Sequence, residues 1–103
     1  MEYRIVVHPK AEAELGELYD AIAERASAAI AWNFIEGIRD QCFGLSTFPL
    51  RGTERAEIMP GPRIIGHRRA VSIAFAVQRD SVLILGIFYA GRNITPEVLE
   101  DRR

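Results

Sequence analysis

Val82-Leu83-Ile84-Leu85-Gly86-Ile87-Phe88-Tyr89-Ala90-Gly91-Arg92-Asn93 is the most hydrophobic run in the chain. Its β-branched and aromatic content, with Asp80-Ser81 before it and Gly91 to Asn93 after it, reads as a strand. Simple alternation puts Val82, Ile84 and Phe88 on one face, and Leu83, Leu85, Ile87 and Tyr89 on the other. Both faces are apolar, so the strand is central and requires cover above and below. It leads directly into a Gly-Arg-Asn turn. The other segments are read as what packs on it.

Arg69 to Gln78 precedes it, across a short turn at Arg79-Asp80-Ser81. There Val71, Ile73, Phe75 and Val77 alternate with Ser72, Ala74 and Ala76, one large apolar face and one small one. Arg63-Ile64-Ile65 forms another strand, with a turn near Gly66-His67-Arg68. Connections this short make the three strands an antiparallel meander. At the N-terminus Tyr3 to Val7 is a strand that ends at His8-Pro9, and Pro9 suits the first position of a helix. Ala11, Leu15, Leu18, Ile22 and Ala26 then recur at helical spacing to about Arg25. Ser27 is the expected cap of a second helix, whose stripe is Ala31, Phe34 or Ile35, Ile38, Cys42 and Leu45, stopped at Phe48-Pro49. Together they make a helical hairpin. Leu50 to Pro62 lacks periodicity and is a loop of about a dozen residues, long enough to be functional. Thr95 caps a short helix over Pro96 to Leu99. The fold class is therefore α+β: a strand, a helical hairpin, then the meander. Two helices cover one face of a sheet. The face bearing Leu83, Leu85 and Ile87 is expected to stay open in the monomer and to mark an interface.

The 103 residues form one domain, with an ordinary 49% apolar and 26% charged content. A single cysteine, Cys42, excludes an internal disulfide framework and suits a reducing cytoplasm. Met1 to Ile5 lacks the basic-then-apolar form of a signal peptide, and no run approaches the roughly 18 apolar residues that span a bilayer. The expectation is a cytoplasmic protein with no membrane contact. Net charge is −1, which argues against direct nucleic-acid binding. The charge is uneven: residues 1–50 hold four basic and eight acidic side chains, whereas residues 51–103 hold nine and six. All but one of the basic residues are arginine, the side chain for bidentate contact with carboxylate or phosphate. A basic sheet end facing an acidic partner is the sharper reading of that split; a solvated surface is the plainer one.

Few reactive groups are available. His8 and His67 lack partners at metal-ligand spacing, no phosphate-binding loop or dinucleotide fingerprint is present, and Cys42 falls on a helix stripe. No metal or cofactor is expected. Cleavage of RNA through its 2′-hydroxyl requires a base, an acid and a cation. His67, Arg68, Arg69, Tyr89 and Arg92 gather such groups at one end of the sheet, but no carboxylate or lysine in the meander is an evident base.

Phe48-Pro49-Leu50-Arg51-Gly52-Thr53-Glu54-Arg55, Pro60 to Gly66, Arg69 to Val77 and Val82 to Asn93, in that order and spacing, resemble the RelE/ParE toxins of type II toxin–antitoxin systems, most closely the ParE or plasmid-stabilisation branch. The resemblance covers nearly the whole chain. It implies a toxin held inactive by a cognate ParD-like antitoxin, and it implies DNA gyrase as target, reached by protein–protein contact without a reaction. The alternatives are a RelE-type, ribosome-dependent mRNA endoribonuclease and an interaction module without toxicity. The chain departs from the ribonuclease pattern in its negative net charge and in lacking a lysine-rich helix surface. It has Asn93 where ParE members commonly have Asp. On this reading Arg63, Arg69, Tyr89 and Arg92 are the candidate target-binding residues, and Leu83, Leu85 and Ile87 the candidate antitoxin-binding residues.

Overall fold

The apolar runs assemble into a five-stranded sheet with a helical hairpin on one face. The computed structural model describes residues 2–54, 61–89, 92 and 94–102. Arg55, Pro60, Ala90, Gly91 and Asn93, from the segments that carry the family resemblance, lie outside the described residues, as does the middle of the Leu50–Pro62 loop. The elements in order are β1 (Arg4–Val7), α1 (Pro9–Arg25), α2 (Ala28–Gly44), β2 (Thr53–Glu54), β3 (Arg63–His67), β4 (Val71–Val77), β5 (Ser81–Tyr89) and α3 (Pro96–Glu100). Among the described residues no helix is long and apolar enough to cross a membrane.

The helices begin where their caps dictate. His8 Nδ1 accepts the Lys10 N–H at 3.0 Å, with Pro9 in the first turn. Ser27 Oγ accepts the Ile30 N–H at 3.1 Å, a contact typically worth about 1 kcal/mol. The second helix stops at Gly44, earlier than Phe48-Pro49. The N–H groups of Leu45 and Ser46 turn back to the carbonyls of Cys42 and Phe43, and so occupy acceptors a longer helix would need.

Strand order is β1-β5-β4-β3-β2. The meander is antiparallel as expected, and the loop contributes the small extra strand β2 beside β3. β1 lies parallel to β5, with Arg4 opposite Ser81 through Val7 opposite Ile84. The sheet is therefore mixed rather than antiparallel throughout. Two helices and a meander separate β1 from β5, a crossover long enough for parallel pairing.

The main core lies between hairpin and sheet. Leu15, Leu18, Ile35 and Ile38 meet Ile73, Phe75, Val82, Ile84 and Ile87 there, each contributing about 1.5–3 kcal/mol on full burial. The membership of Ile87 corrects the simple alternation. Ile84 stands opposite Phe75 and Gly86 opposite Ala74, so Leu85 is the extra residue of a β-bulge. A bulge resets the two-residue period. Val82, Ile84 and Ile87 consequently face the helices, whereas Leu83, Leu85 and Phe88 face the other way.

That second face is not open. Leu99 of α3 is buried against Leu85, Phe88 and Ala74, with Ile94 and Val98 beside it. The expected apolar strip is thus closed within the chain: Leu85 and Ile87 are both 0% exposed, and Leu83 alone of the three retains partial exposure. The correction has two causes, the bulge and the short terminal helix.

A buried ion pair locks this arrangement. β1 ends at Val7, because Pro9 starts a helix, and so leaves the far half of β5 without a neighbour on that edge. Glu14 and Arg102 take the missing strand's place. Glu14 Oε1 accepts the Ile87 N–H at 2.9 Å, and Arg102 Nη1 donates to the Leu85 carbonyl at 3.2 Å. The two side chains join through paired bonds of 2.8 and 3.0 Å. Gly86 makes room for this, since a Cβ there would lie 2.5 Å from Arg102 Nη1 and 2.6 Å from the Phe88 ring.

Candidate target-binding site

The β3–β4 turn presents arginine by an unusual backbone. Ala70 N–H donates to the His67 carbonyl at 3.1 Å, and the two residues between them, Arg68 and Arg69, have φ of 51° and 59°. Two consecutive positive φ values are the pattern of a type I′ hairpin turn, which normally takes Asn-Gly. Here two non-glycine residues adopt it, at a cost in local strain, and their exposed side chains stand at the tip.

The two arginines part at that tip. Arg68 extends over the Phe34 ring, 5.8 Å from its centroid, toward α2. Arg69 borders a groove of about 230 Å³ shared with Gly66, Ser72, Phe88, Tyr89 and Arg92. Tyr89 ends β5, and its carbonyl accepts the Arg92 N–H at 3.2 Å. The Arg92 guanidinium lies over the Tyr89 ring at 4.9 Å, a cation–π contact. Arg92 also pairs with Glu17 at 3.5 Å, with both side chains about half exposed. Such a surface pair is worth little.

Arg69, Tyr89 and Arg92 are therefore brought together. Arg63 is not. It sits at the opposite end of β3, four residues or about 13 Å of strand from His67. Its guanidinium is committed to backbone, donating to the carbonyls of Leu50, Arg51 and Gly52 at 3.0–3.1 Å. Gly52, at φ 73°, is required in that turn, because a Cβ would lie 2.3 Å from the Ile64 carbonyl oxygen. Arg63 thus ties the loop to the sheet.

His67 also stands apart from the groove. It is buried on the helix side, edge-on to Phe34 with ring centroids 5.4 Å apart. Its Nδ1 bonds the Gln41 side-chain oxygen, while Gln41 Nε2 donates to the Gly66 carbonyl at 2.9 Å. Because the Gln41 amide uses its NH₂ on Gly66, His67 carries its proton on Nδ1, and Nε2 is buried with no partner among the described residues. Burial, reinforced by the nearby Arg68 charge, lowers the His67 pKa below its ordinary 6.5. A histidine with a depressed folded-state value stabilises the fold above its unfolded value, and that contribution is lost as pH falls. The melting temperature is accordingly expected to drop as pH is lowered through and below about 6.5, and His67→Gln to flatten this slope in melting curves taken from pH 8 to 5.

The groove is thus bordered by two arginines, a tyrosine and a serine, and among the described residues its lining includes no acidic residue and no histidine. The Glu14–Arg102 pair was missed in the sequence, although a signal existed: Glu14 falls on the apolar stripe, three residues after Ala11 and four before Leu18.

A strand, a helical hairpin and a meander ending in an arginine-bordered groove define a small α+β domain. The family model described as ParE toxin of type II toxin–antitoxin system, parDE, matches residues 5–94. The chain belongs to the ParE toxin family, and it is the toxin component of a type II toxin–antitoxin system. Among solved structures it is similar to one titled chromosomal ParDE TA system from P. aeruginosa, at 24% identity and a TM-score of 0.76, covering 86% of this chain and 97% of that one. That likeness supports the fold. No curated protein matches. The family match ends at Ile94, so α3 and Arg102 lie beyond it.

Proposed function

We propose that this toxin arrests growth by binding DNA gyrase through the groove of Arg69, Tyr89 and Arg92, and that a ParD-like antitoxin neutralises it. Membership of the ParE family supports gyrase as the target. The convergence of Arg69 and Arg92 on one groove, beside the Tyr89 ring, is the observation that carries the choice of surface. Arginine and tyrosine are the residues that most often dominate interface energy, and a bidentate guanidinium suits a carboxylate or a phosphate. Arg63 drops out of the target contact, since its donors serve the Leu50–Gly52 backbone. Of the candidate antitoxin contacts, Leu83 alone has surface to offer.

Purified toxin is expected to inhibit gyrase supercoiling in vitro. Arg69→Ala combined with Arg92→Ala is expected to raise the inhibitory concentration by more than about tenfold without lowering the melting temperature, because both side chains are exposed. Full-rate supercoiling with excess folded toxin rejects the target. Primer extension on transcripts from expressing cells is expected to show no new codon-position cuts, since the groove supplies no evident base for that reaction.

A further inference from the structure

The sheet register places Gly66 opposite Ser72 and Ser72 opposite Phe88. Residues directly opposite one another share a face, so the three form a row across β3, β4 and β5 on the outer face. At the Phe88 end the row is closed, because Phe88 packs with Leu99 of α3 and is only 5% exposed. At the other end Gly66 is exposed and opens into the groove of Arg69, Tyr89 and Arg92. β2 pairs with Arg63 and Ile64 only, so among the described residues no strand flanks β3 at Gly66.

Other glycines of the chain are explained by their surroundings. Gly52 and Gly61 have φ of 73° and 105°, where a side chain is strained. Gly86 has no room for a Cβ, which would lie 2.5 Å from Arg102 Nη1. Neither reason applies to Gly66. Its φ is outside the left-handed region, and no atom lies within 4 Å of the place its Cβ would take. Glycine inside a strand gives up side-chain packing and costs backbone entropy, and a β-branched residue would suit the position better. The β3–β4 pairing runs without a bulge, which leaves close approach by another backbone as the remaining reason for a strand glycine. The strand is also held from behind. Gln41 Nε2 donates to the Gly66 carbonyl at 2.9 Å, and the next residue, His67, is buried edge-on to Phe34. The recess over Gly66 is therefore a fixed feature of the groove, continued by the short side chains of Ala70 and Ser72.

We propose that Gly66 determines the specificity of the target-binding groove: its missing side chain leaves a recess that admits an extended segment of the target's polypeptide, backbone against backbone, alongside Arg69 and Arg92. This rests on the reading of that groove as the gyrase-binding surface. Arginines alone attract many partners, whereas the recess selects by shape. A polypeptide fits better than a nucleic acid, because the floor is uncharged and the net charge of −1 works against a phosphate backbone.

The test uses the full-length toxin and purified gyrase. Gly66→Val fills the recess and raises strand propensity, so the free toxin melts at the same temperature or higher, while the concentration that half-inhibits supercoiling rises on the order of tenfold or more. Gly66→Ala gives a smaller rise in the same direction, and Gly66→Thr repeats the valine test with a polar side chain should that variant fail to fold. Gly16→Ala, which enters equally open space on α1 outside the groove, leaves inhibition unchanged. Calorimetry with DNA-free gyrase is expected to rank the variants in the same order. Undiminished inhibition by folded Gly66→Val or Gly66→Thr overturns the role of Gly66 while the gyrase reading stands. Binding of the wild-type toxin only when DNA is present overturns the polypeptide partner. If the wild-type toxin neither binds nor inhibits gyrase, the target reading fails and the role of Gly66 falls with it.

Discussion

Replacing Arg102 with alanine is expected to destabilise the fold by about 3–5 kcal/mol, the usual cost of removing one partner from a buried ion pair. The substitution leaves the Glu14 carboxylate in the interior, with its side chain only 8% exposed and its guanidinium partner gone. It also strips the Leu85 carbonyl of its donor and the Phe88 ring of the cation 5.2 Å above it. One kcal/mol shifts the melting midpoint of a domain this size by roughly 4–8 °C, so the variant is expected to melt at least about 12 °C lower. Glu14→Ala should cost a similar amount, because Arg102 and the Ile87 N–H both lose their acceptor. Glu14→Gln should cost less, since the amide oxygen still accepts from Ile87. The two alanine substitutions together should destabilise by less than the sum of their separate effects, because neither charge is then left alone. Urea unfolding of the four variants measures all of this. Additive costs would mean that the side chains act independently and that the pair does not substitute for a strand.

Leu85→Asp is expected to prevent folding of the free toxin. Leu85 has no exposure, and Leu99, Phe88 and Ala74 pack around it. A carboxylate placed there has no partner, and an isolated buried charge is among the largest single-residue penalties. Circular dichroism should show loss of the cooperative transition at neutral pH. Leu99→Ala probes the same contact from the other side and should cost about 2–5 kcal/mol, which leaves a folded and measurable protein. A cooperative, near-wild-type melt for Leu85→Asp would mean that α3 lies off the sheet in solution and that the outer face is open.

Much of the architecture was legible because local signals agreed with one another. Pro9 behind His8, and Ser27 ahead of the second apolar stripe, are capping chemistry that acts within three or four residues, and both helices start where that chemistry puts them. The alternation of Val71, Ile73, Phe75 and Val77 with small residues survives intact in the sheet. The segments that resemble ParE toxins lead to the same family as the match over residues 5–94. In the candidate site, Arg69, Tyr89 and Arg92 were identifiable as arginine and aromatic residues beside turns, and they do share a groove.

What the sequence by itself determined was therefore the order and type of the elements, the caps, the apolar stripes and the family. Tertiary structure alone decided which face each β5 residue occupies, because a single-residue bulge at Leu85 inverts the alternation and leaves no mark in residue type. It also decided that Arg63 serves the backbone, whereas Arg69 makes no such bond among the described residues, since an arginine's role depends on which carbonyls or solvent lie within reach of a long, flexible side chain. It paired Glu14 with Arg102 across 88 residues. That contact exists only because β1 ends early and exposes one edge of β5, and no local pattern reports an edge that is created by where another strand stops.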